Sequence, residues 1–548
     1  MKIINSTPFR LKVVALAIAS SASSVYAFNI DTGNSDIRLS LDNTLKYSTA
    51  FRTKDRSAGL AGPGADTENL NDGDNNFDKG LVSNRLDLLT ELDISYKDTY
   101  GARISAAGWY DDVYHQKNDN TTGASNHVGA SDEFSDEAKD VMGGDVEILD
   151  AFVYGRFPVM DGMDGTIRVG RHSLLWGESL FFGGNGIAGG NGPVDVVKLA
   201  AVPNSTFKET MMPTGKVSVD IPISETASIG AYVGYEWEKS RLLPAGAYLS
   251  PGDTLGGETL HGGVGTFNKI DDIEASDSGQ YGLKLSWSDY DIDTDFGLYA
   301  TRYHATGPSN LINRVAFPGP TAADYRWVYA EGIEAYGFSM AKTVGRWSLA
   351  GEMSYRRNAP LASRTQTDAG TARTGHDDGN LAYAVGETAH AQFNWLANVP
   401  SFISQEASFL GEIAWNTRVK TTANEEKLNE YSDKSAVSMR VVYNATYRQV
   451  FDGLDLTPSI GASHTWGKSS AIGPAFGVDG GGDVNIGVKA VYLNKWKASL
   501  SYKAFYGEEG PLTLRRDVNG DGDEQSNGTY KQSLKDRNFI SASVSTTF

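Results

Sequence analysis

The stretch NFISASVSTTF, residues Asn538–Phe548, decides the fold of this chain. In an extended strand every second residue lies on one face. One face of this stretch is mainly apolar and carries Ile540, Ala542, Val544, Thr546 and Phe548. The other face carries only hydroxyl residues, namely Ser541, Ser543, Ser545 and Thr547. An apolar face opposite a hydroxyl face predicts a strand between hydrocarbon and a water-filled interior.

The two ends of the chain predict the same compartment. Lys2, Arg10 and Lys12 precede the apolar run 13–19, and Val25-Tyr26-Ala27 has the form of a cleavage site. This pattern predicts a secretory signal peptide over residues 1–27. A strand that ends on an aromatic residue resembles the last strand of outer-membrane barrels, so Phe548 is expected to signal to the barrel assembly machinery. We therefore expect the outer membrane of a Gram-negative bacterium.

Composition excludes several classes of protein. The 548 residues have a mean hydropathy of −0.34, and no apolar stretch after the signal peptide is long enough for a membrane-spanning helix. The formal charge of −19 argues against nucleic acid as a partner. Because the chain has no cysteine, disulfides, a lipoprotein anchor, thiolate catalysis and cysteine-ligated zinc are all excluded.

Alternating segments recur along the whole mature chain. The clearest is 85–96, where an apolar face lies opposite the charged residues Arg85, Asp87, Glu91 and Asp93, which must line an interior. We predict an all-β, transmembrane antiparallel β-barrel over residues 28–548, a single domain with about 18 strands and 16 as the alternative. The strands are expected near 37–51, 85–96, 102–110, 146–157, 165–172, 215–222, 227–238, 279–288, 294–304, 328–342, 345–357, 386–397, 406–417, 436–448, 454–466, 482–493, 496–506 and 536–548.

The connections and the tryptophans fit a barrel better than a soluble β-helix or propeller, because no repeat of fixed period appears. Short turns alternate with long polar loops, which are expected on the extracellular side. Tryptophans near strand ends predict two aromatic girdles at the membrane interfaces. The residues are Trp287, Trp347 and Trp496 beside short turns, and Trp109, Trp237, Trp415 and Trp466 near long loops.

A glycine- and proline-rich segment at about 170–213 interrupts the alternation. Irregular backbone cannot face lipid, so the segment must cap the barrel or fold into its lumen. One hypothesis is a charged constriction formed by Arg168, Arg171 and Glu178, beside an apolar surface formed by Trp176, Phe181 and Phe182. The alternative is that arginine–glutamate pairing and tryptophan packing only pin the segment to the wall.

Three motifs in and around this segment resemble a known family. They are RVGRHSLLWGES (Arg168–Ser179), NGPVDVVKL (Asn191–Leu199) and FKETMMP (Phe207–Pro213). With the opening 28–52, they are similar to the DUF1302 proteins of Gram-negative bacteria, although Gly192 stands between Asn191 and Pro193 where that family has NPVD. The resemblance implies an outer-membrane barrel that handles hydrophobic compounds with a periplasmic partner and an RND-type inner-membrane transporter. Asn191 and Asp195 complete the candidate lumen residues.

The sequence also bears on calcium binding and on catalysis. Asp517, Asn519, Asp521 and Asp523 copy the front half of an EF-hand loop, and NDGDNNFD at Asn71–Asp78 is similar. Calcium in the outer loops is one interpretation, and solvated turns are the other. No HExxH, GxSxG, P-loop or dinucleotide pattern occurs, so no enzyme and no other cofactor is predicted.

The leading functional hypothesis is an outer-membrane channel for hydrophobic or amphiphilic small molecules. The alternatives are a general porin for small hydrophilic or ionic solutes, and a surface receptor or structural barrel. Expected partners are outer-membrane lipid and lipopolysaccharide, the assembly machinery, the small-molecule substrate, and the periplasmic partner and transporter that the resemblance implies.

Overall fold

The computed structural model describes residues 28–64, 66–160, 162–201, 207–262, 265–315, 323–368, 381–400, 403–516 and 525–548. The predicted signal peptide and the EF-hand-like residues Asp517, Asn519, Asp521 and Asp523 lie outside these ranges. Within them, no helix has the length and apolar character needed to cross a membrane.

Eighteen antiparallel strands form a closed barrel, which confirms the predicted fold and strand number. The strands are β1 Ile37–Arg52, β2 Gly80–Tyr96, β3 Tyr100–Asp111, β4 Gly144–Met160, β5 Met163–His172, β6 Thr214–Pro222, β7 Ala227–Gly234, β8 Gln280–Asp289, β9 Thr294–Tyr303, β10 Ile333–Val344, β11 Trp347–Pro360, β12 Val385–Val399, β13 Glu406–Ala423, β14 Ser435–Phe451, β15 Leu454–Gly467, β16 Gly482–Tyr492, β17 Trp496–Tyr506 and β18 Phe539–Thr547.

The barrel closes where β18 pairs with β1. Arg52 lies opposite Phe539, and Thr44 lies opposite Thr547. The backbone N–H of Phe548 donates to the carbonyl of Asn43 at 2.9 Å, and the N–H of Asn43 donates back at 2.8 Å. Because the ladder is closed, no strand edge is left unpaired in hydrocarbon. The role of Phe548 as an assembly signal stays a prediction.

The alternation predicted for β18 is confirmed. Ile540 and Val544 are exposed on the outer face. On the inner face, the Ser541 and Ser543 hydroxyls lie 2.8 Å from those of Ser501 and Ser499 on β17. The outer face is therefore apolar, and the inner face is covered with hydroxyl pairs.

The charged face of β2 also lies inside. Arg85 pairs with Asp87 at 2.8 Å, and Arg103 on β3 pairs with Glu91 and with Asp93. These ion pairs line the wall of the lumen, as the alternation of β2 and β3 requires.

At one end of the barrel the connections are tight turns, and at the other end they are long loops. We call these the turn end and the loop end. The loop end holds a separate five-stranded sheet, which the sequence did not predict, and a small hairpin, Thr513–Arg516 with Gln525–Gly528. The five strands, in spatial order, are Gln366–Asp368, Asn310–Val315, Ala323–Val328, Gly265–Lys269 and Thr259–Gly262.

Two predicted strands have different bounds because of this loop structure. The strand expected at 328–342 is β10, which begins only at Ile333, since residue 328 ends a strand of the separate sheet. The strand expected at 227–238 is β7, which ends at Gly234. Beyond that point the chain leaves the ladder to contact the loops.

The girdle prediction is wrong for two tryptophans. Trp347 and Trp496 near the turn end, and Trp415 and Trp466 near the loop end, are exposed on the outer face. Trp109 is buried because its strand position lies opposite Asp87, on the inner face. Trp237 follows the end of β7 and packs against Tyr329 with ring centres 5.2 Å apart.

Candidate functional site

The segment between β5 and β6 lies inside the barrel. We call residues 173–213 the inward segment. Its described residues form no strand and contain only three short helical turns, Ile187–Gly190, Val196–Ala201 and Phe207–Thr210. Since these turns leave most backbone amides without partners of their own, the wall of the barrel must supply acceptors.

Glu352, on the inner face of β11, is the first of these acceptors. Its carboxylate accepts the backbone N–H of Glu178 at 2.7 Å and that of Ile187 at 3.0 Å. It also accepts from the Ser179 hydroxyl and, on the wall, from the Gln392 amide. The Glu352 side chain is buried, so its charge is balanced by these donors rather than by water.

Glu412, on the inner face of β13, holds the next part of the segment. Its two oxygens accept the N–H groups of Leu180 at 3.1 Å, Phe181 at 2.5 Å and Phe182 at 2.8 Å. Three successive amides that converge on one carboxylate form an anion-binding nest. Glu412 has no exposed surface, so this contact is closed to solvent.

A guanidinium, an amide and an imidazole hold the tip of the segment. Arg356 on β11 donates to the three carbonyls of residues 184–186 at 3.0, 2.9 and 2.8 Å. The Asn185 side-chain oxygen accepts from Asn416 at 3.1 Å and lies 3.1 Å from a ring nitrogen of His390. Strands β11, β12 and β13 thus form one continuous docking wall for the segment.

Neither of the two anchoring glutamates, Glu352 and Glu412, is among the residues predicted from the sequence. Each follows a glycine in the middle of an apolar strand, in LAGEMSY (Leu349–Tyr355) and in FLGEIAW (Phe409–Trp415). An isolated acid on the inner face, within a stretch of seven residues that has no other charge, was the available signal. Its meaning depends on the docked segment, which a strand pattern does not predict.

The predicted charged constriction is not brought together. Arg171 pairs with Glu236 and, at 2.7 Å, with Glu238 rather than with Glu178. It lies on the same side of β5 as Ile167 and Val169, which are exposed on the outer face. Arg171 is therefore placed outside the lumen by the alternation of its own strand.

The other members of the predicted constriction also separate. Arg168 lies one step from that face, opposite Tyr154 and Ser218 in the ladder, which places it on the inner wall. Glu178 contributes its backbone to the anchoring contacts: its N–H binds Glu352, and its carbonyl accepts from Asn394. The contacts of Glu178 thus favour the interpretation that the segment is pinned to the wall.

The three predicted aromatic residues pack against the wall. Trp176 lies against Tyr232 and Tyr299, with ring centres 5.2 and 6.2 Å apart. Phe181 lies under the guanidinium of Arg440 at 5.8 Å. Phe182 packs against Phe476 on a neighbouring loop, with ring centres 5.9 Å apart.

The second half of the segment is fastened near the loop end. Asn191 donates from its side chain to the carbonyl of Trp176 at 3.0 Å and accepts from the Lys216 ammonium at 3.3 Å. Asp195 forms an ion pair with Arg241 at 2.8 Å. The Arg241 guanidinium also lies over the Trp109 ring, which explains why that ring is buried.

A cavity of about 390 Å³ lies at the turn end, beside Glu178 of the inward segment. Its polar lining includes Lys284, Asp295 and the Ser286 hydroxyl. Its aromatic lining is the ring of Tyr299 on the inner face, whereas Trp287 and Phe296 border the cavity from strand positions that face outward, like those of Leu283 and Leu298. The cavity has the size of a small-molecule site and offers charges, hydroxyls and one aromatic ring together.

Comparison with solved structures gives several outer-membrane channels of low sequence identity. OccAB4 of Acinetobacter baumannii is 10% identical, with 93% of this chain and 98% of that chain covered and a TM-score of 0.42. DcaP, an outer-membrane channel of the same organism, is 8% identical, with 96% and 100% covered and a TM-score of 0.37. OmpF of Salmonella typhi is 8% identical, with 94% and 98% covered and a TM-score of 0.37.

No curated protein matches the sequence. A family model described as "Protein of unknown function (DUF1302)" matches residues 9–548, which is nearly the whole chain and includes the inward segment. The chain therefore belongs to the DUF1302 family.

Proposed function

We propose that the protein is an outer-membrane channel for small amphiphilic molecules, in which the inward segment controls passage. The observation that carries this proposal is the docking of the segment inside the barrel on the buried carboxylates Glu352 and Glu412. A segment fixed to the wall narrows the lumen and sets its chemistry. The closed barrel and its apolar outer face support the outer membrane as its location.

The lining of the lumen favours amphiphiles over purely hydrophobic compounds. Hydroxyl pairs and ion pairs cover the wall, as at Ser501 with Ser541 and Arg85 with Asp87. A molecule without any polar group would bind such a wall only weakly. The lining of the cavity sets three carboxylates, Glu178, Glu225 and Asp295, against one lysine, Lys284, beside the Tyr299 ring. It therefore suits a solute with a cationic group and an apolar body.

The periplasmic partner and the RND-type transporter stay predictions from the family. In bacterial barrels the short turns face the periplasm. The cavity lies at that end, near Pro222 and Ala227. A periplasmic partner would therefore meet the solute at the turn end, and loop-binding partners would meet the opposite end.

Single-channel recording in planar bilayers tests the proposal, with decyltrimethylammonium as the amphiphilic probe and glucose as the hydrophilic one. We expect a small potassium chloride current that the amphiphile blocks and glucose leaves unchanged. Because Asp295 is one of the carboxylates of the cavity, Asp295→Asn should weaken the block severalfold. Asp455→Asn, on β15 and away from the cavity, is the matched control and should leave the block unchanged.

Two outcomes would count against an amphiphile channel. A large, steady, weakly selective current with free passage of glucose would support the general porin instead. If the folded barrel carries no current and the cationic amphiphile does not bind, the loops become the functional region, and the receptor interpretation gains support.

A further inference from the structure

The loop end contains a buried cluster of four carboxylates and two arginines. Asp74 pairs with Arg52 at 2.9 Å and with Arg537 at 3.1 Å, and Asp536 pairs with Arg52 at 3.1 Å. These four side chains are almost entirely buried, and their charges balance. Asp72 and Asp253 are the other two carboxylates of the cluster, and they add two negative charges.

Asp72 and Asp253 form no ion pair within the part of the chain that the structure describes. Asp72 is 3% exposed and Asp253 is 0% exposed. The N–H of Asp72 donates to one Asp253 oxygen at 3.0 Å, and the N–H of Asn126 donates to one Asp72 oxygen at 2.7 Å. The second oxygen of each carboxylate, Oδ1, has no hydrogen-bond partner among the described residues.

Two side-chain amides near Asp72, those of Asn126 and Asn76, also have an oxygen without a partner among the described residues. The Asn126 amide nitrogen donates to Asn69 at 2.7 Å and to the Thr259 carbonyl at 2.9 Å, which turns its oxygen away from both. That oxygen, on a residue with 0% exposure, has no donor in the described chain. Asn76 likewise donates to the Gly246 carbonyl at 3.1 Å and leaves its own oxygen unpartnered.

The arrangement is electrostatically incomplete without a cation. Burial, together with the nearby Asp253 carboxylate, raises the pKa of Asp72 well above its usual range. Burial also raises the pKa of Asp253 to about 6. Two adjacent buried carboxylates are costly unless something neutralises them, and two excess negative charges match one divalent cation.

The donor set indicates which cation. In this cluster, the buried side-chain atoms without a hydrogen-bond partner are all carboxylate or amide oxygens, which are the ligands that calcium prefers. The described residues contain no group of three or more His, Cys, Asp or Glu side chains that could hold a metal, so the two carboxylates need the amide oxygens of Asn126 and Asn76 as further ligands. Water would complete the six to eight ligands that calcium usually takes.

We propose that Asp72, Asp253 and Asn126 bind one calcium ion that fastens three loops of the loop end to one another. Asp72 belongs to the β1–β2 loop, Asn126 to the β3–β4 loop and Asp253 to the β7–β8 loop. Asn76 supplies a further oxygen from the β1–β2 loop. The bound ion neutralises the pair and holds the loops over the mouth of the barrel.

Calcium titration of the full-length protein, refolded in detergent without lipopolysaccharide, tests this site. We expect one ion per chain by calorimetry, with a Kd on the order of 10⁻⁴ to 10⁻³ M as in extracellular calcium modules. Bound calcium should protect the three loops from trypsin, and Asp253→Asn should weaken binding at least tenfold. Asp132→Asn, an exposed carboxylate paired with Lys117, is the matched control and should bind as the natural chain does.

Asn126→Ala is a second variant in case Asp253→Asn does not refold, and heat-modifiable migration on gels checks each barrel. Calcium binding that survives both substitutions but is lost in Asp521→Asn would place the ion in the 517–523 loop and overturn the proposal. Protection of the loops from trypsin that does not depend on calcium, and that is lost as the pH rises through about 6, would also overturn the proposal. That result would mean that a shared proton neutralises the pair, since the raised pKa of Asp253 stabilises the folded loops only below that pH.

Discussion

Replacing Glu412 by alanine is expected to release the inward segment and to turn a small current into a larger, noisier one. The substitution leaves the amides of residues 180–182 without their acceptor. Each buried amide without a partner costs about 1–3 kcal/mol. Even the lower end, roughly 3 kcal/mol for all three, shifts the ratio of docked to released segment on the order of 100-fold.

Single-channel recording measures this effect, and two variants on the same strand control it. Glu412→Gln keeps the shape but replaces one acceptor oxygen with a donor, so its current should lie between those of the natural chain and the alanine variant. Glu406→Ala removes an exposed glutamate that pairs with Arg448 at the far end of β13 and should leave the current unchanged. An unchanged current in Glu412→Ala would mean that the segment does not depend on this anchor.

Two nearby glycines test the same docking by steric means. A methyl group at Gly186 would overlap the Glu352 carboxylate and the Ser179 hydroxyl, whereas a methyl group at Gly184 would meet no atom within 4 Å. Gly186→Ala should therefore raise the current in the same direction as Glu412→Ala. Gly184→Ala, two residues away, should behave as the natural chain.

Replacing Arg52 by methionine is expected to open the loops at the loop end without unfolding the barrel. Arg52 is buried and binds Asp74, Asp536 and the carbonyl of Phe77 at 2.8 Å. Methionine fills much of the same volume but leaves Asp536 without an ion-pair partner among the described residues. Removing one partner of a buried pair costs about 3–5 kcal/mol, so the opening equilibrium of the loops should rise on the order of 100-fold or more.

The rate of trypsin cleavage of the folded protein follows that equilibrium when opening and closing are fast. Arg448→Met is the matched control, because Arg448 also binds two carboxylates, Glu406 and Asp455, but is exposed. Exposed ion pairs contribute little to stability, so this control should be cleaved no faster than the natural chain. Each of the two variants loses one trypsin site, so the comparison between them is even. Equal cleavage of the Arg52 and Arg448 variants would show that the cluster does not hold the loops.

The barrel was predictable because one local rule repeats along it. In strands such as β2 and β18, every second residue meets hydrocarbon or the lumen, so the sequence alternates and the strand number follows. Alternation does not identify strands that lie outside the barrel wall. The strand predicted at 328–342 took in the last residue of the loop strand Ala323–Val328, because the pattern does not distinguish a barrel strand from a neighbouring loop strand.

The site was predictable only as an interruption. Glycines and prolines showed that residues 170–213 leave the wall, but no local pattern shows which wall residues receive them. Glu412 lies 232 residues beyond Leu180, and Glu352 lies 174 beyond Glu178. Arg171 alternates with Arg168 along β5 and lies on the outer face, so the two arginines do not share one constriction. Its partners, Glu236 and Glu238, follow the end of β7, where alternation no longer predicts position.

Disulfide trapping of the inward segment tests the central claim most directly, because the natural chain has no cysteine. Asn185→Cys combined with Asn416→Cys places two thiols where the side chains now contact at 3.1 Å. Asn185→Cys with Asn444→Cys is the control. Asn444 lies opposite Ser408 in the ladder, and Ser408 is eight residues along β13 from Asn416, a distance of roughly 26 Å. We predict efficient cross-linking of the first pair in intact outer membranes, no cross-linking of the control, and a current that stays small. Equal cross-linking of both pairs, or none of either, would contradict a segment docked on β13.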